Sequence, residues 1–381
     1  MNWGGRVRNI VNGFLICAIL VPLAVGNAQE KSSAGISGHV IDDSTHAPII
    51  NANVFLANTM IGAATDTSGK FVLKNVPAGF YELVASCVGY SMRTTKVQVI
   101  AGTELKNDFS LVPRVLRMNV VEVTAAPPAE WKENLQTFTK LLLGSTPEAS
   151  TCRIMNPEVV EFTTAESGHF HAQTDKEVTI ENAGLGYKLH LSLAVFSFDG
   201  RWLTSEYKVR FEELQPLDPD ARSHWKQKRM EVYSGSLHHF LNSMIRDNLS
   251  DDGYTVYNPE ELYQISGSAP IPELKRYEML KQSAANTWTF KFRNILVVVY
   301  DRKEFDMEPG QSYYREYGRF SGNPSVARKR PQISILTLTR DHVVLDEQGQ
   351  ILDQLAMKVS GDWGKEGLAA QLPLEFDPDS K

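Results

Sequence analysis

The feature that most constrains the fold is a succession of short, mostly apolar segments between Gly35 and Thr124, separated by turn residues at close intervals. The stretch lacks helical periodicity, and short strands joined by polar turns are typical of a small β-sandwich. Asp66 and Gly69 suit one of the tight turns. Residues 81–88 are largely apolar on both faces, so we expect that strand to lie in the centre of a sheet.

Three segments in this stretch carry a resemblance to a known family: "ISGHVIDDSTHAPIINANVFL", "ATDTSGKFVLKNVPAGFYELVASCVGY" and "KVQVI". Together they resemble the carboxypeptidase-like regulatory domain. The resemblance implies a transthyretin-like (Ig-like) β-sandwich over residues 32–124 and an exported protein of a Gram-negative bacterium. It does not imply peptidase activity, because in metallocarboxypeptidases this module is an accessory beside the zinc domain.

The first 28 residues have the three-part layout of a secretory signal peptide. A start with two arginines is followed by an apolar run at 14–25 and by small residues ending at Ala28. We predict cleavage after Ala28, with retention as a membrane anchor as the alternative; the apolar run is short for a membrane span. Cys17 is not expected to be lipidated, because the preceding Ile16 is bulky.

The charge balance bears on partners. The chain has 39 basic and 45 acidic residues, a net charge of −6 that becomes −8 once the signal is removed. A chain without basic excess is poorly suited to a phosphate backbone, so we expect no nucleic-acid partner. No window after the signal reaches the length of a membrane-spanning helix. We therefore predict an exported protein of the periplasm, the outer-membrane surface or the cell surface.

The remaining chain, residues 125–381, predicts a larger α+β domain built mainly on antiparallel strands, with two or three helices. A boundary at 125–128 precedes an amphipathic helix that starts at Trp131 and ends before Gly144. Residues 186–198 and 202–212 predict a hairpin. Further helices are expected over 220–233 and from Ser234 or Ser236 onward, where a serine would act as N-cap. Strands are expected in the later stretches, which are listed here: 288–292, 295–300, 333–339, 342–345 and 354–359.

This second region also resembles a set of exported bacterial proteins described only by their carboxypeptidase-like regulatory domain. The resemblance rests on "LLLGSTPEASTCRIMNPEVVEF", "IENAGLGYKLH" and "MEVYSGSLHHFLNSM". It implies a domain of unknown function, and it transfers no activity.

Several chemistries lack their required residues. None of the nine histidines is followed three positions later by Glu, and His-Glu-x-x-His is absent, so the ligands of a zinc peptidase are missing. Gly-x-Ser-x-Gly and a Walker loop are also absent. The glycines of 183–186 are better explained as turn glycines. No catalytic, cofactor-binding or metal-ligating residue is nominated, and no cofactor is expected.

Weaker candidates remain open. His169 and His171 share a strand face and could join a metal site, although an exposed strand face is the simpler interpretation. The neighbouring His238 and His239 are expected at the margin and on the surface of a helix. Three polar features are expected to be structural or solvated: the acids 212–213, the basic run 328–330, and Cys87 with Cys152 as two separate thiols.

We therefore predict a non-catalytic binding protein of the cell envelope that recognises a protein or a glycan. Possible contributors to its surface are the aromatics Trp202, Trp225, Tyr313, Tyr314 and Tyr317, with a place in the core as their alternative. The competing hypothesis is an exported hydrolase with its active site in residues 125–381, which would require a pocket with converging acids or histidines.

Overall fold

The computed structural model describes residues 1–2, 34–114, 129–164, 170–199, 203–258, 273–306 and 329–379. The predicted signal peptide and the predicted domain boundary at 125–128 lie outside these residues, apart from Met1 and Asn2. Among the described residues, no helix is both long enough and apolar enough to cross a membrane.

Residues 34–114 form a two-sheet β-sandwich, as predicted. One sheet has the order β4-β1-β7, with β8 also pairing with β1, and the other has the order β3-β2-β5-β6. The strand β5 lies between β2 and β6, which confirms the central position expected from its two apolar faces. The strands are Ala34–Asp42 (β1), Asn53–Leu56 (β2), Gly62–Ala64 (β3), Lys70–Val76 (β4), Gly79–Ser86 (β5), Arg93–Val99 (β6), Glu104–Lys106 (β7) and Phe109–Leu111 (β8).

A six-stranded antiparallel sheet, the middle sheet, follows. Its hub is β13, which pairs with β14 along its whole length and with β12 and β11 along successive parts. The helix Ala129–Leu143 (α1) buries Phe138 in the core of this sheet. It ends at Gly144, whose φ of 84° confirms the predicted C-cap. The strands are Cys152–Ile154 (β9), Val160–Thr164 (β10), Phe170–Thr174 (β11), Val178–Asn182 (β12), Tyr187–Phe198 (β13) and Leu203–Glu213 (β14).

Two smaller sheets form a separate core with the second of two consecutive helices, and their strand orders are β15-β18-β19-β21 and β16-β17-β20. The helix Ala221–Tyr233 (α2) leads into Leu237–Ile245 (α3), and Ser236 caps α3 by accepting a hydrogen bond from the His239 N–H at 3.1 Å. Phe240 and Leu241 of α3 lie in this core. The other elements are Tyr254–Tyr257 (β15), Arg276–Met279 (α4), Leu280–Ala284 (β16), Thr287–Phe290 (β17), Ile295–Asp306 (β18), Lys329–Leu338 (β19), Val343–Asp346 (β20) and Met357–Gly361 (β21).

The fold class therefore agrees with the prediction: mostly antiparallel β-structure with a few helices after an N-terminal sandwich. One predicted strand differs in its bounds. Residues 354–359 begin as a 3-10 helix, Gln354–Ala356, and only then enter β21. The side chain of Asp353 accepts a hydrogen bond from the Leu355 N–H at 3.1 Å, which favours a helical turn over an extended start.

The sandwich docks on the middle sheet through the turn at residues 58–60. The Asn58 N–H donates to the Val209 carbonyl at 2.7 Å, and the Phe211 N–H donates to the Thr59 carbonyl at 2.8 Å. Thr59 is fully buried there. The C-terminal part of the described chain joins the same contact, because the Leu374 N–H donates to the Asn58 carbonyl at 2.9 Å. The turn thus extends the hydrogen bonding of β14 as a short added strand would.

Candidate ligand-binding cleft

A second contact between the sandwich and the later chain leaves a cleft of about 210 Å³. One wall is the paired start of β5 and end of β6, where Gly79 faces Val99 and Phe80 faces Gln98. The other wall is the turn that follows β20, together with the β16–β17 hairpin. The lining residues are Ala78, Gly79, Phe80, Gln98, Val99, Ile100, Ala101, Asn286, Asp346, Glu347 and Gln348.

The turn after β20 is built around the Asp346 carboxylate. Its Oδ1 accepts hydrogen bonds from the N–H groups of Gln348, at 3.0 Å, and Gln350, at 2.8 Å. Aspartate favours such turns because its short side chain reaches backbone donors two and four residues ahead. Gly349 completes the turn with a φ of 77°, a conformation that glycine adopts without strain. Local sequence therefore fixes where this carboxylate lies.

Asp346 is only 1% exposed, and its Oδ2 has no hydrogen-bond partner among the described residues. Burial raises the pKa of this carboxyl to about 6, against the opposing effect of the Gln350 and Gln348 N–H groups. The Phe80 N–H of the sandwich also lowers the pKa, although Oδ2 receives no hydrogen bond of good geometry from it. A buried carboxylate with one unpaired oxygen is the least compensated polar group lining the cleft.

Contacts from other elements hold the Asp346 turn in place. The His238 Nε2 of α3 lies 3.1 Å from the Gln348 carbonyl, and Gly349 packs against Asn242 of the same helix. From the sandwich, the Lys96 ammonium donates to the Leu352 carbonyl at 2.9 Å. The cleft wall is therefore supported both by α3 and by the domain across the cleft.

His239 corrects a prediction, because it is an interior residue and not a surface one. Its side chain is 16% exposed, and its ring packs against Tyr233, Tyr254 and Tyr300. The helical pattern of α3 missed this because the tyrosines come from a neighbouring helix and two distant strands. Burial lowers the pKa of His239, against the opposing charge of Asp252. His238 is half-buried and takes the predicted boundary position.

The His239 cluster contains a serine and an aspartate, but not in the geometry of a hydrolase. The Ser243 Oγ lies 2.6 Å from Asp252 Oδ2 and 2.8 Å from the His239 carbonyl. The His239 Nδ1 accepts from the Gly235 N–H and lies 2.9 Å from the Tyr254 hydroxyl. A serine nucleophile needs its hydroxyl hydrogen-bonded to the imidazole ring and open to substrate, whereas Ser243 is 2% exposed.

Of the five candidate aromatic residues, the structure describes one, which lies in the core. Trp225 is 7% exposed, and its indole N–H donates to the Ala183 carbonyl at 2.9 Å. Gly186 permits this packing, since a Cβ there would lie 2.1 Å from the Trp225 ring, and its φ is 69°. Trp225 is thus a core residue and not part of a binding surface. Trp202, Tyr313, Tyr314 and Tyr317 lie outside the described residues.

The metal and thiol candidates have simple outcomes. His171 is exposed on β11, whereas His169 lies outside the described residues. No group of His, Cys, Asp and Glu in the described part of the chain could hold a metal ion.

Cys87 and Cys152 are free and half-buried, which confirms two separate thiols. Burial raises the pKa of the Cys152 thiol to about 12, which opposes a nucleophilic role.

The basic run at 328–330 was expected to be a solvated loop, and this is wrong for Arg330. The residue belongs to β19, and its guanidinium makes a two-bond ion pair with Asp362, at 2.5 and 2.7 Å. Burial raises the pKa of Asp362, but the hydrogen bonds and charge of Arg330 outweigh burial and lower it overall. Arg328 lies outside the described residues. The acids Glu212 and Glu213 are half-exposed and pair with His190 and Arg229.

Comparison with protein-family models assigns the sandwich region to a known family. Residues 36–123 match the family model described as the CarboxypepD_reg-like domain, which confirms the sequence resemblance. No curated protein matches the chain. This family assignment therefore concerns the sandwich region.

Solved structures are similar over parts of the chain only. A cohesin–X-dockerin complex from Acetivibrio cellulolyticus is 30% identical over 21% of this chain and 55% of its own, with a TM-score of 0.18. A candidate carbohydrate binding protein from Bacteroides uniformis is 13% identical over 45% and 63%, with a TM-score of 0.19. A DUF3823 family protein from Parabacteroides merdae is 10% identical over 48% and 82%, with a TM-score of 0.17. The first match spans about half of the cohesin–dockerin chain, and scores this low transfer no function.

Proposed function

We propose that this chain is an exported binding protein of the cell envelope that holds a glycan without transforming it. The observation that carries the proposal is the cleft at the sandwich junction, where a buried carboxylate and side-chain amides lie beside apolar residues. Glycans offer hydroxyl groups and C–H surfaces at once, and a lining of this mixed kind suits both.

The two sides of the cleft are joined by the Lys96 ammonium of the sandwich, which donates to the Leu352 carbonyl after the β20 turn at 2.9 Å. Two further contacts fix the sandwich on the middle sheet. The hydrogen bonds of the Asn58 turn hold the sandwich on β14. The ion pair between Lys208 and Glu82, at 2.6 Å, joins the same two parts. A cleft between parts held in this way is preorganised, which reduces the entropy lost when a ligand binds.

The predicted signal at residues 1–28 supports the export half of the proposal. The carboxypeptidase-like regulatory resemblance of the sandwich points to the same compartment. Envelope fractionation of cells that produce the full chain tests it: we expect recovery in the periplasm or the outer-membrane fraction with the first 28 residues removed. Recovery in the cytoplasm with those residues intact would refute export.

A glycan array probed with the purified protein tests the binding half. We expect retention on a subset of immobilised oligosaccharides and no release of reducing ends during prolonged incubation with them. Release of reducing ends would instead support the hydrolase hypothesis. If this protein crosslinks to envelope proteins in a pull-down but gives no signal on the glycan array, the partner is a protein.

A further inference from the structure

The Asp346 side chain has a feature that the turn it builds does not explain. The turn uses only Oδ1, which accepts two backbone N–H groups. Oδ2 is buried and has no hydrogen-bond partner among the described residues. An asparagine would build the same turn without burying a charge, because its amide oxygen accepts the same hydrogen bonds. The second carboxylate oxygen is therefore surplus to the local fold.

A buried carboxylate oxygen without a partner opposes folding, and such groups concentrate at functional sites. Asp346 also lines the cleft beside the sandwich. The group that Oδ2 lacks is a hydrogen-bond donor, since an ionised carboxylate only accepts. A ligand in this cleft that carries hydroxyl groups would supply that donor.

The size and lining of the cleft restrict the ligand further. Its volume of about 210 Å³ is below the roughly 300–1,000 Å³ of pockets for drug-sized molecules, so it suits one ring and not a long chain. Phe80 and Ile100 supply apolar contacts, and Gln98, Asn286 and Gln348 supply amides that both donate and accept. This combination matches a sugar ring, which carries hydroxyls around its edge and C–H groups on its faces.

Oδ2 has almost no solvent-exposed surface, so a ligand reaches it only after a small local rearrangement. The neighbouring side chains of Glu347 and Gln348 are exposed, and the Gln348 side-chain amide donates to the Glu347 carboxylate at 3.0 Å. The backbone of the turn would stay in place, because His238 and Gly349 hold it against α3. The rearrangement then concerns side chains at the rim and leaves the two parts docked.

We infer that the cleft between the sandwich and the β20 turn binds a single sugar residue, at the end of a glycan or as a branch, with Asp346 Oδ2 accepting a hydrogen bond from one of its hydroxyls. This inference rests on the proposed glycan-binding function and assigns it a site. The rest of the glycan would lie in solvent, beyond the exposed rim residues Glu347 and Gln348.

The substitution Asp346→Asn tests the site, because it keeps the acceptor that builds the turn and replaces Oδ2 by an NH₂ group. The full chain and the variant are compared by saturation-transfer NMR and by titration with free glucose, galactose, mannose and N-acetylglucosamine. We expect one of these sugars to bind the wild type and the variant to bind it at least about tenfold more weakly, as the loss of one charge-assisted hydrogen bond predicts.

A matched control keeps the test specific. Asp341→Asn also removes one negative charge, from an exposed side chain before β20 that does not line the cleft. This variant should bind the sugar within about twofold of the wild type, since it keeps Oδ2. An equal loss in Asp341→Asn would mean that the net charge and not Oδ2 governs binding, which overturns the assignment of Oδ2.

Failure of the site and failure of the function give different results. If the wild type is retained on the glycan array but Asp346→Asn is retained equally, glycan binding stands and the cleft is not its site. If neither protein is retained on any glycan, the proposed function itself fails. If the array shows retention but no free monosaccharide binds up to about 10 mM, the inference of a single-residue site is wrong.

Discussion

The sandwich meets the rest of the molecule in two places that differ in kind. At the Asn58–Met60 turn the contact is made by backbone hydrogen bonds to β14, and Thr59 is completely buried. At the Asp346 turn the two parts approach without closing and leave the cleft. The first contact therefore has the means to hold the sandwich on the middle sheet, whereas the second carries a buried carboxylate oxygen that has no hydrogen-bond partner among the described residues.

Both contacts contain a buried carboxyl group, and the two groups differ in how they are hydrogen-bonded. Near the Asn58 turn, Glu375 accepts a hydrogen bond from the Met60 N–H at 2.8 Å through Oε1, while its Oε2 has no partner among the described residues. Burial raises the pKa of Glu375 as it does that of Asp346. Glu375, however, uses one oxygen to bind the sandwich, whereas both bonds to Asp346 come from its own turn.

The largest expected effect comes from breaking the first contact with Asn58→Pro. Asn58 has a φ of 61° and donates its N–H to Val209. Proline fixes φ near −65° and has no N–H, so the variant should lose about 3 kcal/mol or more of unfolding free energy. Chemical denaturation followed by tryptophan fluorescence measures the loss.

Asn58→Gly is the matched control for that variant. Glycine keeps the N–H and adopts positive φ easily, but it removes the side-chain oxygen that accepts from Gln371 at 2.9 Å. Its cost should stay near 1 kcal/mol, the value of one hydrogen bond. If the proline and glycine variants were equally stable, the turn would not be what holds the sandwich.

The second expected effect is the pH dependence of stability that Asp346 contributes. The pKa of Asp346 is raised from 3.8 to about 6, so the folded state binds its proton more tightly than the unfolded state does. The resulting stability is present below about pH 4 and is lost as the pH rises through about 6. Relative to Asp346→Asn, the wild type should be more stable at pH 4 than at pH 7.5 by up to roughly 3 kcal/mol.

Denaturation of both proteins at several pH values measures this difference. Asp341→Asn, which alters an exposed side chain, should retain the pH dependence of the wild type. A gap between wild type and Asp346→Asn that stays constant from pH 4 to 7.5 would show that the carboxyl is not buried in solution. It would also remove the distinction between the two contacts.

The smallest expected effect concerns the ion pair between Lys208 and Glu82, which lies at the docking face of β14. Their charged atoms are 2.6 Å apart, and the side chains are 11% and 29% exposed. A double-mutant cycle with Lys208→Met and Glu82→Gln should give a coupling of about 1 kcal/mol, at the upper end for pairs that water still reaches. A coupling near zero would leave the Asn58 turn as the dominant link.

Local signals were sufficient to predict much of the fold. Gly144 ends α1 and Ser236 caps α3 because both roles depend only on neighbouring residues. The central position of β5 followed from its two apolar faces. These features can be predicted without knowing which residues distant in sequence lie nearby. The sequence resemblance added the topology of the sandwich.

The candidate site could not be predicted in the same way. Gly349 and Asp346 indicate a turn, but the residues opposite, Phe80 and Gln98, lie about 250 positions earlier in the chain. Similarly, the aromatic shell of His239 comes from strands that a helical pattern does not represent. The ion pair of Arg330 with Asp362 also depends on β19 and β21 becoming neighbours. Each miss reflects tertiary packing that overrides a correct local pattern.

The segment from Trp363 to Phe376 gives the molecule a particular folding problem. Trp363 lies in the core around α3, Leu368 and Ala369 lie in the core of the middle sheet, and Gln371 bonds to Asn58 of the sandwich across 313 positions. Contacts this distant in sequence form slowly, because the entropy of the intervening chain is lost before the contacts contribute favourable free energy. A chain translocated from its N-terminus would therefore hold two incomplete cores until this segment arrives, and in that interval it would be most exposed to proteases and chaperones.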